Sequence, residues 1–439
     1  MLIPLLAALI ELTIAPMTIQ VQGKNAEVFA VTQPDGEPGL YLKQGDDFQV
    51  LLKNDLKDPS SIHWHGLVLP NNQDGVAFIT QYPIYPGASY TYQFPLLQSG
   101  TYWMHSHVGL QEQRQLIAPL IIASAEDQRI ADQEVVLLLS DFSFRTPEEI
   151  YQKLREPMKM AMGAKPDLVE VEYDAYLANF HTLDDPEIVN VQPGDKVRLR
   201  IIDGASATNF FISTGNLTAK AIAVDGHPIN SFTDSNFELA VAQRLDLLVT
   251  IPQEGGAFPI LAQAEGRTKQ AGLILATAGS SIPKLSEESD TAAKGLTNQQ
   301  EEKLHATQPL PSKKFDRRIE MELGGNMANY IWTLNGQAWP EVTPPIVQKG
   351  DRVELVFTNK TTMSHPMHLH GHVFQVTEID GRAFNGALRD TVLVMPNSTV
   401  TMQFDADNPG VWPLHCHILY HMEAGMFTVL RYKDFQQPL

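Results

Sequence analysis

The stretch Gln44-Gly45-Asp46-Asp47-Phe48-Gln49-Val50-Leu51-Leu52 places a Gly-Asp turn ahead of strictly alternating apolar residues, the pattern of a half-buried β-strand. Phe48, Val50 and Leu52 fall on one face. The same arrangement returns at Pro193-Gly194-Asp195, followed by Val197, Leu199 and Ile201. It returns again at Lys349-Gly350-Asp351, followed by Val353, Leu355 and Phe357. The three glycines stand about 150 residues apart, the size of one domain. A chain of 439 residues thus reads as one β module written three times.

Short alternating strands broken by Gly, Pro, Asn and Asp favour a Greek-key β-sandwich for each module, and an all-β chain overall. The expected boundaries are residues 1–125, 134–279 and 315–439, with the polar, acidic stretch 280–314 as an exposed connector. One helix is expected in the second module, capped by Thr146, opened by Pro147 and stopped before Pro157.

Beyond the shared turn the modules diverge. Eighteen residues past Gly45 stands His63, opening His63-Trp64-His65-Gly66. Eighteen past Gly350 stands His368, opening His368-Leu369-His370-Gly371; the second module has Ile212 there. Gly100 is followed by His105 and His107, and Gly410 at the same offsets by His415 and His417, with Cys416 between them. In the second module Gly256 leads only to Leu261 and Gln263. Modules one and three therefore carry metal chemistry on a frame that module two shares without the ligands.

Residues i and i+2 of a strand face the same side, so each His-x-His pair can offer two imidazoles to one site. Neutral imidazole suits several transition metals, and the pairs alone leave the metal open. Cys416, the chain's sole cysteine, must point away from His415 and His417 toward a second site. His365, His421 and Met426 can join it there. Two histidines, a thiolate and a thioether are the blue-copper donor set, whereas structural zinc is closed by four Cys or His ligands. Ser60, Ser106 and Leu116 occupy the matching positions of module one, so it cannot form a blue site. With Cys416 bonded in sequence to two cluster histidines, electrons need cross only a few covalent bonds. One plus three coppers hold the four electrons that dioxygen needs to become water.

These motifs resemble those of the three-domain multicopper oxidases, which include laccases and bacterial cuprous oxidases, over essentially the whole chain. The segments Trp103-Met104-His105-Ser106-His107-Val108-Gly109-Leu110-Gln111-Glu112-Gln113 and Leu419-Tyr420-His421-Met422-Glu423-Ala424-Gly425-Met426-Phe427 read most like the copper-resistance branch. The resemblance implies cupredoxin-like domains and four copper ions. A type 1 copper would lie on His365, Cys416 and His421 with Met426 axial, and a type 2 copper on His63 and His368. A type 3 pair would use His65, His105 and His417 on one ion and His107, His370 and His415 on the other. It also implies that Asp74 supplies protons near the cluster. An acid directly after the histidine matching His421 is usual; here Met422 stands there and Glu423 follows, which makes Glu423 the candidate for a second relay. The implied activity is oxidation of Cu(I), in copper tolerance, or of phenols as in laccases, with O2 as acceptor. The implied location is the periplasm or outside the cell.

Composition limits the alternatives. A formal charge of −19 disfavours a nucleic-acid partner. The apolar stretch Leu2 to Ile10 is too short to span a bilayer and reads as a signal remnant or a first strand. A copper-sequestering protein would need neither a type 3 pair nor a cysteine bridging two sites, and a nitrite reductase would not need eight cluster histidines. Met158, Met160 and Met162 alternate after the helix and suit either an accessory Cu(I) site or packing. His372 is expected to support the ligands rather than bind; His181, His227 and His305 read as ordinary surface or turn histidines.

Overall fold

The structure, a computed structural model, describes residues 9–156 and 168–436. Residues 1–8, and with them most of the N-terminal apolar stretch, lie outside the described residues, as do Met158, Met160 and Met162. The first described strand is Ile10–Val21.

Each Gly-Asp turn begins a central strand, and the three modules repeat one topology. Asp47–Asn54, Lys196–Asp203 and Arg352–Asn359 each run parallel to their module's opening strand, Ile10–Val21, Gln133–Phe142 and Arg317–Asn326. On the other side they pair antiparallel with Ser89–Pro95, Arg244–Thr250 and Thr399–Asp405. A second sheet in each module holds Gly100–Ser106, Ala257–Ala264 or Val411–Cys416 against Ile62–His65, Phe210–Ser213 or His365–Leu369. The turn glycines have φ of 93°, 88° and 95° at Gly45, Gly194 and Gly350, a left-handed backbone that disfavours any side chain.

The alternating residues after each turn are buried as their spacing requires. Phe48 stacks on Phe94 and meets the edge of Trp64. Each such side chain contributes about 1.5–3 kcal/mol by leaving water. Where modules one and two meet, charge takes over: Arg198 and Arg200, both buried, share Asp127 and Asp246. Thr101, on the strand that also bears His105, donates to Asp246 (2.6 Å).

The expected helix is Pro147–Leu154, closed by a reciprocal cap between Thr146 and Glu149. A short helix in module three, Leu419–Glu423, carries His421. The segment 280–314 is less free than its polarity suggested. Leu296 and Leu304 are buried, and Glu301 forms an ion pair with buried Arg389 (2.7 Å), so the connector is pinned to the second and third modules. His227 also departs from expectation. It follows a turn, but its Nε2 is sealed from solvent without a hydrogen-bond partner, and burial lowers its pKa to about 4.

Candidate metal centre

Strand pairing brings the histidine motifs together. In module one His63 lies opposite His105, and in module three His368 lies opposite His415, so two His-x-His pairs project from each sheet. Across the junction of these modules, ring nitrogens converge in three groups within 4.8 Å: His63, His65 and His368; His65, His105 and His417; His107, His370 and His415. Asp74 forms another such group with His63 and His370. All these histidines are buried except His107, which is partly exposed.

The imidazoles face inward because their outer nitrogens are tied. His63 and His368 donate from Nδ1 to the carbonyls of Asp74 (2.9 Å) and Asp390 (2.8 Å). His415 does so to Cys416 (2.9 Å), and His370 donates to Asp74 Oδ2 (3.0 Å). His65 is the reverse case: Nε2 donates to Asp390 Oδ1 (3.0 Å), leaving Nδ1 inward. Nε2 of His63, His105, His368 and His417 and Nδ1 of His65 are then buried without a partner. Each such group costs about 1–3 kcal/mol. Cations bound at these groups would take up the lone pairs and offset that cost, and the His370 and His415 Nε2 atoms, 2.9 Å apart, are close enough to share one ion. Burial lowers the pKa of His65, His105, His107, His368, His370 and His417, and that of His415 to about 4. They are therefore neutral at pH 7, the state that binds metal.

Cys416 points the opposite way from its neighbours, as strand alternation demands. Its Sγ lies 3.6 Å from His365 Nδ1 and 3.7 Å from His421 Nδ1. His365 is steered by Thr361 Oγ1 (2.8 Å) on its Nε2, and Trp332 packs on His421 at 4.0 Å. Met426 is buried beside them, its N–H donating to the His421 carbonyl and its own carbonyl accepting from Cys416. Burial pushes the Cys416 thiol far above its usual pKa. A thiolate there would need a bound cation, and the convergence of two imidazole nitrogens on this sulfur, with Met426 beside them, is a donor set that fits a copper ion.

The other candidate residues divide. Asp74 is fully buried between two histidine groups. Glu423 is exposed and not among the cluster groups; it borders a cavity of about 440 Å3 onto which His107 also opens. His372 donates to the His370 carbonyl and meets Tyr432 through Nε2 (2.6 Å), a supporting role.

Five further residues at the sites are not among the expected ligands. Asp390, behind His65, is gripped by Arg244 of the second module (2.8 Å from Nη1). Gly66, at φ 90°, must lack a side chain because a Cβ would lie 2.5 Å from that guanidinium. Glu112 Oε2 lies 2.7 Å from His105 Nδ1. Glu170, also from the second module, lies 3.2 Å from His421 Nε2 and accepts from the Tyr330 hydroxyl (2.6 Å). For two of them a clue existed: Glu112 falls within the segment that resembles the copper-resistance branch, and Gly66 closes a His-x-His-Gly motif that recurs at Gly371.

Three family profiles, each described as multicopper oxidase, match residues 13–127, 133–282 and 313–436. Multicopper oxidase MmcO of Mycobacterium tuberculosis is 33% identical over 440 residues, covering 96% of this chain and 86% of its own. Copper resistance protein A of Escherichia coli is 26% identical, covering 97% and 92%. The crystal structure of a laccase from Botrytis aclada superposes with a TM-score of 0.79 at 25% identity, covering 96% of this chain and 86% of the laccase. With three matching profiles and a 33% identical relative along nearly its whole length, this chain belongs to the multicopper oxidase family, whose one type 1, one type 2 and two type 3 coppers its histidine clusters accommodate.

Proposed function

We propose that this oxidase takes electrons from Cu(I) and serves copper tolerance, with phenol oxidation of laccase type as the second reading. His365, Cys416 and His421, with Met426, would hold the type 1 ion, and His63 and His368 the type 2 ion. His65, His105 and His417, and His107, His370 and His415, would hold the type 3 pair. Bound there, copper would supply one-electron acceptance from the donor and the four-electron reduction of dioxygen to two molecules of water.

The residues divide the remaining work. Cys416 ties the electron-accepting site through its own backbone to His415 and His417. Asp74, whose Oδ2 accepts from His370 Nδ1, is the acid that passes protons toward the cluster. Modules one and three build the site, and module two supplies Glu170 and Arg244. The division into domains at 1–125, 134–279 and 315–439 accords with this split of labour.

One observation favours a metal ion over a phenol. His421 is fully buried, and its outer nitrogen meets the carboxylate of Glu170, whose side chain is itself nearly inaccessible. A phenol reacts best against an open imidazole edge. A cation is instead attracted by a carboxylate, and the overall charge of −19 raises its local concentration. The name of the relative copper resistance protein A agrees with this reading, and the same likeness supports a location in the periplasm or outside the cell. Among the described residues no helix is long and apolar enough to cross a membrane.

The test is oxygen uptake by copper-loaded protein with stabilised Cu(I) or with a simple phenol free of copper. Uptake should be fast with Cu(I) and slow with the phenol. Glu170→Gln should lower the rate with Cu(I) at least 10-fold while changing the phenol rate little. The opposite preference makes the protein a laccase.

A further inference from the structure

The tripeptide Gln111-Glu112-Gln113 has no part in the roles above, yet all three side chains are buried. Buried polar groups persist where partners offset their lost hydration, and here the partners lie in all three modules. Gln111 stays in module one: its Oε1 accepts from the hydroxyls of Ser60 (2.7 Å) and Ser106 (2.8 Å), and its Nε2 donates to the Pro59 carbonyl (2.9 Å). Gln113 reaches outward. Its Nε2 donates to the Asp141 carbonyl (3.1 Å) in module two, and its Oε1 accepts from Ser206 and from the Tyr420 hydroxyl (3.3 Å), next to His421.

Glu112 is held between these two fixed neighbours and faces histidines from two modules. Its Oε2 lies 2.7 Å from His105 Nδ1, which also donates to the Ser106 carbonyl (3.0 Å). Its Oε1 lies 4.0 Å from His417 Nδ1, and both of those atoms lack a hydrogen-bond partner. With His65 backed by Asp390, every imidazole of this group of three faces a carboxylate. In the other group, His415 is backed by a carbonyl instead.

We propose that Glu112 is a positioning residue for the copper cluster. Its carboxylate faces the Nδ1 side of His105 at 2.7 Å and of His417 at 4.0 Å, which favours the proton on Nδ1 of both rings and leaves both Nε2 atoms toward the point they share with His65. A carboxylate behind an imidazole sets its tautomer and ring orientation. Gln111 and Gln113 keep that carboxylate where module one meets modules two and three. The inference rests on the reading that His65, His105 and His417 hold one copper.

The test compares wild type with Glu112→Gln and Glu112→Leu after copper loading. It measures copper per chain, blue absorption, the amount of copper visible by electron paramagnetic resonance, and copper retention against a chelator. Both variants should keep the blue colour. Cluster copper should be held about 10–100-fold less tightly, more so in the leucine variant, because a glutamine can still accept from one histidine. Loss of coupling within the copper pair should raise the resonance-visible copper. If Glu112→Leu does not fold, Glu112→Gln decides alone, being nearly isosteric. Wild-type retention and an unchanged resonance signal in Glu112→Gln would overturn the proposal, and an effect confined to the unfolding temperature of the metal-free protein would do the same. A wild-type chain that takes up only blue copper overturns both this inference and the ligand reading beneath it.

Discussion

Arg244→Met is the substitution whose cost can be worked most directly. Arg244 is wholly buried and is raised further above its usual pKa, despite burial, by Asp390 and Asp225. It donates to both Asp390 oxygens, to the Thr101 carbonyl (3.2 Å) and to the Ala242 carbonyl (3.0 Å). Methionine fills part of the volume but strands Asp390 in a dry site, while Arg389 continues to serve Asp225 (3.1 Å). Removing one partner of a buried ion pair costs about 3–5 kcal/mol. Taking about 4 kcal/mol, and about 2–4 °C per kcal/mol for a unit of this size, the melting temperature should fall by about 8–16 °C. The assay is thermal unfolding of copper-free protein at one fixed scan rate, since a chain of several domains can unfold irreversibly. The double variant Arg244→Met/Asp390→Asn should lose less than the two single variants together, because the stranded charge is gone. A fall below about 2 °C, or simple additivity, would refute the argument that the guanidinium holds the carboxylate behind His65.

Three further outcomes are expected. Cys416→Ser should abolish the blue colour while leaving cluster copper in place, as elemental analysis and absorption would show. Asp74→Asn should retain copper but slow dioxygen reduction by about 10²–10⁴-fold, the usual worth of a positioned proton donor; unchanged turnover would remove Asp74 from the proton path. His227, lowered by burial to a pKa of about 4, binds its proton more readily unfolded than folded, so stability should drop as pH falls from about 6.5 toward 4. In His227→Leu that loss, measured by denaturant titration at the two ends of the range, should shrink by roughly 2 kcal/mol.

Legibility in the sequence depended on repetition. The alternation after Gly45, Gly194 and Gly350 exposed the module, and the matched offsets of His63 and His368 exposed the cluster, because a strand converts spacing directly into facing. Glu170 and Asp390 escaped for the opposite reason. Glu170 is 251 residues from His421, and Asp390 is 325 from His65, and neither belongs to a recurring pattern. Their partners are set by how modules dock, which local periodicity does not encode. The segment 280–314 is largely exposed, in keeping with its polarity, but polarity gave no sign of buried Leu296 and Leu304 or of the ion pair between Glu301 and Arg389. His227 looked like a turn residue by its neighbours Asp225 and Gly226, and only the packing of the whole chain seals its nitrogen.

The strand Val411–Cys416 lies against His365–Leu369 with Met367 opposite Cys416 and His368 opposite His415. A slip of one residue in that pairing would send every side chain to the other face. The sulfur would then enter the cluster and the imidazoles would enter the blue site. Neither pocket would then present its proper donors, so a misaligned chain would fail at both sites at once rather than yield a half-active enzyme. If Cys416 holds the blue copper as proposed, colour after copper loading would report strand alignment, and an error of a single residue would leave the molecule colourless.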